Sequence, residues 1–182
     1  PSSKEIYKSK IKSIKLLSSD KVLCAKYRKG HFEGVLNVMS RLMTLIKAKH
    51  IFMGEKDFQQ LYLVKKYLSK KFRVNIISCK TIRDKNKVAL STRNNLLSRN
   101  DYLKLIRIIK NLKKIKTDLM FKNQFSNIFL KRIIINLQKI YKIKIDYLEI
   151  RDERNLALAK STARLRMFVA FWINKVRLID NF

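Results

Sequence analysis

Apolar residues recur at three- and four-residue spacing over residues 33–48, where Val35, Val38, Met39, Leu42, Met43 and Ile46 predict an amphipathic helix. The short run Ile51-Phe52-Met53 follows and stops at Gly54. A second helical pattern holds Phe58, Leu61, Tyr62, Val64, Tyr67 and Leu68, and Val74–Ser78 is a β-branched run. Helix, strand, helix, strand is the order of a parallel α/β sheet. Runs this short also fit helix ends, so an all-helical chain is the alternative.

Residues 79–95 are polar and aperiodic, a loop with at most one short strand. Beyond them Ser98 and Asp101 have the spacing of a capping box, and Leu105, Ile108, Ile109, Leu112 and Ile115 give the stripe of a helix. A further stripe runs through Phe125, Ile128, Phe129, Ile133, Leu137 and Ile140. Ile145–Ile150, Leu165–Trp172 and Val176–Ile179 read as strands. Two domains are expected, an α/β segment over 1–80 and an α+β segment over 81–182.

Composition narrows the function classes. Three Gly and one Pro leave no Gly-rich phosphate loop and no Pro-rich linker. Two cysteines, Cys24 and Cys79, are too few for a disulfide framework or zinc knuckle and suggest a reducing compartment. No apolar run approaches the roughly 18 residues of a membrane span. Residues 1–15 lack the apolar core of a signal peptide and position 1 is Pro, so a piece of a longer protein is expected.

The net charge is +30, carried by 43 Lys and Arg against 13 Asp and Glu. Such a charge suits a nucleic-acid or anionic surface. Lys, Ile and Asn are also the residues of AT-rich codons, so base composition accounts for much of it. The aromatics Phe58, Tyr62, Phe125 and Phe129 fall on apolar helix stripes rather than among exposed cations, which argues against specific nucleic-acid binding. Residues 101–144 hold 12 Lys and Arg against 2 Asp, which a solvated helix face explains.

Three stretches carry candidate chemistry. Gly54-Glu55-Lys56-Asp57-Phe58-Gln59-Gln60 lies where a strand ends and a helix begins, the place where open α/β sheets put ligands. Free N–H groups there favour an anion, Gly54 permits close approach, Lys56 places a charge on phosphate, and Asp57 suits a ribose hydroxyl or a metal. An acidic first turn beside an ordinary surface Lys fits the same spacing. Arg83 with Leu90-Ser91-Thr92-Arg93-Asn94 offers hydroxyls and a cation to a triphosphate, although such residues also simply make loops. Arg28-Lys29-Gly30-His31-Phe32 offers His31 as a donor, or as a structural histidine.

Taken together, six islands resemble the pantoate–β-alanine ligases along essentially the whole chain. Pro1 to Tyr7 looks like the close of that family's first half. Arg28 to Gly34 resembles R-P-G-H-F-x-G, Gly54 to Leu61 resembles G-E-K-D-[FY]-Q-Q-L, and Val88 to Asn94 resembles L-A-L-S-S-R-N. Ile150-Arg151-Asp152 and Arg177 to Asn181 resemble I-R-D and R-L-I-D-N. Lys29 stands in place of Pro, Asn86-Lys87 in place of Asp-Gly, and Thr92 in place of Ser.

The resemblance implies part of a Rossmann-like nucleotidyltransferase domain (adenylyltransferase superfamily), then a small α+β C-terminal lid domain. It implies an AMP-forming ligase in which pantoate attacks the α-phosphate of ATP and β-alanine then displaces AMP. Gly54, Glu55, Lys56, Asp57, Ile82, Leu90, Ser91, Thr92 and Arg93 would lie at ATP, with Lys56, Ser91, Thr92 and Arg93 catalytic. Gln60 would bind pantoate, and Arg28 and His31 would stand behind the site. Mg²⁺, a homodimer and a cytoplasmic location are implied, with no specific nucleic acid and no membrane. The family's H-x-G-H motif would lie before residue 1, since His31 and His50 are far apart. An inactive fragment of the ligase and a basic RNA-associated protein are the alternatives.

Overall fold

The computed structural model describes residues 2–7, 13–122, 126–159 and 164–182. The chain divides into two compact units, Pro1–Lys80 and Thr81–Phe182. Phe125 of the expected helical stripe, and Pro1 of the first island, lie outside the described residues.

The first unit carries α1 (Ser3–Ile6), α2 (Cys24–Tyr27), α3 (His31–Ile46), β1 (His50–Gly54), α4 (Phe58–Phe72) and β2 (Asn75–Cys79). Gly30 takes φ 75 immediately before α3, a left-handed entry for which glycine is suited. β1 and β2 pair in parallel with His50 opposite Asn75 and Gly54 opposite Cys79. A parallel pair needs a crossover between its strands, and α4 supplies it. This excludes the all-helical alternative.

The helix faces differ from the sequence expectation. In α3 the buried apolar side chains are Phe32, Leu36 and Met43, whereas Val35, Val38, Met39 and Leu42 are half-buried and Ile46 is exposed. In α4 Leu61, Leu63, Val64 and Leu68 are buried, while Phe58 and Tyr62 are only half-buried. Long apolar stripes allow more than one facing, and packing selects it. Asp20 is buried in this unit, taking Lys66 Nζ at 2.7 Å and the Tyr67 hydroxyl at 2.6 Å. Tyr67 in turn accepts the Leu17 N–H at 2.9 Å.

The second unit opens with a turn in which Arg83 and Ala89 form an isolated antiparallel bridge, then a short 3-10 helix, Thr92–Leu96. The helices α5 (Arg99–Lys122) and α6 (Asn127–Tyr141) precede β3 (Lys144–Asp152), β4 (Leu165–Ile173) and β5 (Val176–Asn181). The capping box forms as its spacing implies: Ser98 Oγ accepts the Asp101 N–H at 3.1 Å and donates to the Asp101 carboxylate at 2.8 Å. The three strands are antiparallel in the order β3-β4-β5, with an irregularity between Ile145 and Tyr147. Leu105, Ile108, Ile109 and Leu112 of α5 share one core with Met167, Val169, Phe171 and Ile173 of β4.

In α6 the packed side chains are Leu130, Ile133, Ile134 and Leu137. Ile128, Phe129 and Ile140 of the expected stripe are exposed instead. No helix among the described residues is long and apolar enough to cross a membrane. Cys24 is buried and Cys79 exposed, both as thiols.

Candidate functional site

In the first unit β1 runs directly into a 3-10 turn, Glu55–Asp57, and then into α4. Gly54 is exposed and extended, with φ −72 and ψ 134, and the space where its Cβ would point is open to 4 Å. Its value here is therefore a bare approach to the backbone rather than a left-handed turn. Asp57 stands at the N-cap of α4 without a side-chain capping bond. The positive end of a 15-residue helix dipole thus faces this turn, which favours an anion. Lys56 Nζ is 3.8 Å from the Asp57 carboxylate, with the lysine side chain 22% exposed. A pair this long, with the Asp57 side chain 52% exposed, contributes little to stability.

Gln60 is half-buried on the same turn of α4. Its neighbour Gln59, whose spacing offers no reason to single it out, is buried and donates from Nε2 to the Val22 carbonyl at 2.7 Å. Gln59 Oε1 has no hydrogen-bond partner among the described residues. Arg28 follows α2 and donates its N–H to the Cys24 carbonyl at 2.9 Å. His31 opens α3 half-buried, its ring 5.0 Å from that of Phe32.

In the second unit Leu90, Ser91, Thr92, Asn94, Asn95 and Tyr102 line an open cavity of about 640 Å³. Ser91 caps the 3-10 helix, its Oγ accepting the Arg93 N–H at 3.2 Å. Arg93 Nη1 donates to the Arg177 carbonyl at 2.9 Å, which braces the guanidinium against β5. Ile82 and Leu90 are exposed, and the Leu90 N–H bonds the Ile82 carbonyl at 3.0 Å.

The turn before this loop has Asn86-Lys87 in place of Asp-Gly. Lys87 takes the left-handed φ of 67. Asp84 holds the turn together and receives the hydroxyl of Tyr102 in a short hydrogen bond. Burial pushes the Asp84 carboxyl up, but hydrogen bonds from Tyr102 and from the Val88 and Asn86 amides outweigh it and leave it below its ordinary value. Tyr102 is pushed up to about 12, first by its bond to Asp84 and then by burial. Arg83 makes a bidentate pair with Asp180, both bonds 2.8 Å, and donates to the Asn181 carbonyl at 3.0 Å.

No group of three His, Cys, Asp or Glu among the described residues is placed to hold a metal ion.

Residues 1–182 match the family model described as Pantoate-beta-alanine ligase. A pantothenate synthetase of Endomicrobium trichonymphae is 40% identical over 162 residues, covering 88% of this chain and 56% of that protein. One of Flavobacterium psychrophilum is 32% identical over 187 residues, covering 100% of this chain and 66% of that protein. The chain thus spans less than two thirds of the length of these relatives. Among solved structures, pantothenate synthetase from Thermus thermophilus superposes with a TM-score of 0.87 at 27% identity, covering 100% of this chain and 67% of that one. Pantoate-beta-alanine ligase from Francisella tularensis, complexed with Beta-gamma ATP and Beta-alanine, gives a TM-score of 0.75 at 33% identity, covering 98% of this chain and 61% of that one.

Proposed function

The chain belongs to the pantoate–β-alanine ligase family, and from that premise we propose that it supplies the lysine turn and the serine loop for the ATP-dependent condensation of pantoate with β-alanine. The observation that carries this reading is the β1–α4 turn, where bare Gly54, Lys56 and a helix start without a side-chain cap meet.

In the first step a carboxylate oxygen of pantoate attacks the α-phosphorus of ATP. The bond to the bridging oxygen breaks, and pyrophosphate leaves with its electron pair. In the second, the amine of β-alanine attacks the acyl carbon, AMP leaves, and the amine gives up a proton. Neither step needs a covalent enzyme intermediate. Alignment and neutralisation of the charge that builds on the departing phosphates suffice.

Lys56 supplies that positive charge. Gly54, Glu55 and Asp57 line the nucleotide, and Gln60 holds pantoate, its neighbour Gln59 anchoring α4 to the Val22 carbonyl. Ser91, Thr92 and Arg93 hold the triphosphate, with the backbone near Ile82 at the adenine and Leu90 beside the nucleotide. Arg28 and His31 support the site from behind. Mg²⁺ enters as part of the Mg·ATP substrate. A homodimer in the cytoplasm completes the reading.

The test is Lys56→Ala in the full-length protein. Pantoate-dependent exchange of pyrophosphate into ATP should fall by about two orders of magnitude or more, as loss of a transition-state charge partner does. The circular dichroism spectrum should be unchanged, because a surface lysine adds little stability. Exchange within about tenfold of wild type would overturn the assignment of Lys56.

A further inference from the structure

The turn from Asp84 to Val88 is organised by one carboxylate. Asp84 Oδ1 accepts the N–H groups of Asn86 and Val88, both at 2.9 Å, and Oδ2 accepts the Tyr102 hydroxyl. The backbone closes the same turn: the Asp84 N–H reaches the Val88 carbonyl and the Lys87 N–H the Asp84 carbonyl, each at 2.9 Å. Within it Lys87 is held at φ 67, where a side chain is disfavoured. A group outside the turn that holds Asp84 in place fixes that conformation further.

Tyr102 is such a group. It stands in the first turn of α5, which the Ser98–Asp101 box fixes and which Asn174 ties to the β4–β5 turn through a 2.9 Å bond to Asp101. From this fixed point the path runs through Asp84 to the Val88 N–H, the Arg83–Ala89 bridge and Leu90. The Ala89 carbonyl also accepts Asn94 Nδ2 at 3.0 Å, which joins the turn to the far side of the serine loop. Tyr102 lines the same cavity as Ser91 and Thr92, yet its one hydroxyl proton is committed to Asp84. It is therefore not a donor to phosphate.

We infer that Asp84 and Tyr102 are positioning residues: their hydrogen bond fixes the serine loop, Leu90 to Arg93, in the form that receives the triphosphate, and does so because Lys87 stands where a glycine would hold the turn unaided. This rests on the ligase reading above.

The experiment is Tyr102→Phe in the full-length protein, with each substrate varied in turn. The KM for ATP should rise about tenfold while the KM values for pantoate and β-alanine stay within about twofold. Adding Lys87→Gly should bring the ATP KM back toward wild type, since glycine holds φ near 67 without the latch. Asp84→Ala, which leaves Tyr102 no acceptor, gives the same expectation should Tyr102→Phe fold poorly. A purely structural role would lower the active fraction and leave all three KM values in place. An active wild type whose ATP KM is unmoved by both variants would overturn the inference alone. A wild type that neither exchanges pyrophosphate nor makes pantothenate would overturn the ligase reading, and the inference with it.

Discussion

Lys47, Arg73 and Lys142 each follow the end of a helix with φ of 49, 50 and 49, the left-handed position that glycine commonly fills. A side chain there costs about 1–2 kcal/mol. A cation near a helix C-terminus recovers about 0.3–1 kcal/mol of it. The relieved strain is thus offset by the lost cation and by glycine's looser unfolded chain, and replacing any one of the three by glycine should change stability by less than about 1 kcal/mol. Urea unfolding of the single variants measures this; a variant that gains or loses more than about 2 kcal/mol would overturn it. The same economy of glycine explains which site residues are legible in the sequence. Gly54 to Asp57 is a local signal, a glycine and an acidic first turn between a short apolar run and a helical stripe. Asp84 and Tyr102 meet across 18 residues of chain with no periodicity to announce them. Gln59 looks from its spacing like one more polar residue in a polar first turn, and the Val22 and Asp20 carbonyls supply the reason for it to be buried.

Helix α6 shows what periodicity does and does not decide. Ile128 and Ile135 are seven residues apart on one face and are 70% and 64% exposed. Leu130 and Leu137, also seven apart, are 5% and 2% exposed. Both pairs satisfy helical spacing, so the pattern specifies the helix but not the side it buries. In α5, by contrast, Lys and Arg fill the outer face, and Leu105, Ile108, Ile109 and Leu112 are buried as their spacing implies. The strands β3 to β5 are legible because their β-branched and aromatic runs match no helical stripe, with ends differing by one or two residues. Leu137→Ala should cost about 2–5 kcal/mol. Ile135→Lys should change stability by no more than about 0.5 kcal/mol. Denaturant unfolding of the two variants side by side decides between the faces, and a larger loss for Ile135→Lys would reverse the assignment.

The chain as a whole carries a net charge of +30. The family resemblance places an H-x-G-H pair at the nucleotide, and neither His31 nor His50 supplies it. Residues 1–182 assayed alone with pantoate, β-alanine and Mg·ATP are therefore expected to yield no pantothenate, and supplying that motif on the remaining portion of a longer relative should restore turnover. Ligation at an ordinary enzymatic rate by the 182-residue chain alone would refute this. The anchoring of the serine loop also imposes an order on biosynthesis. Arg83 finds Asp180 and Asn181 nearly a hundred residues later, and Phe182 exchanges two backbone hydrogen bonds with Met167, at 3.0 and 3.1 Å. Chains emerge from the ribosome N-terminus first and fold as their parts become available. The Asp20–Lys66–Tyr67 cluster can close as soon as α4 has emerged. The serine loop must instead wait for β5, so a nascent chain gains its full anchoring only 97 residues of synthesis after Arg83 is made.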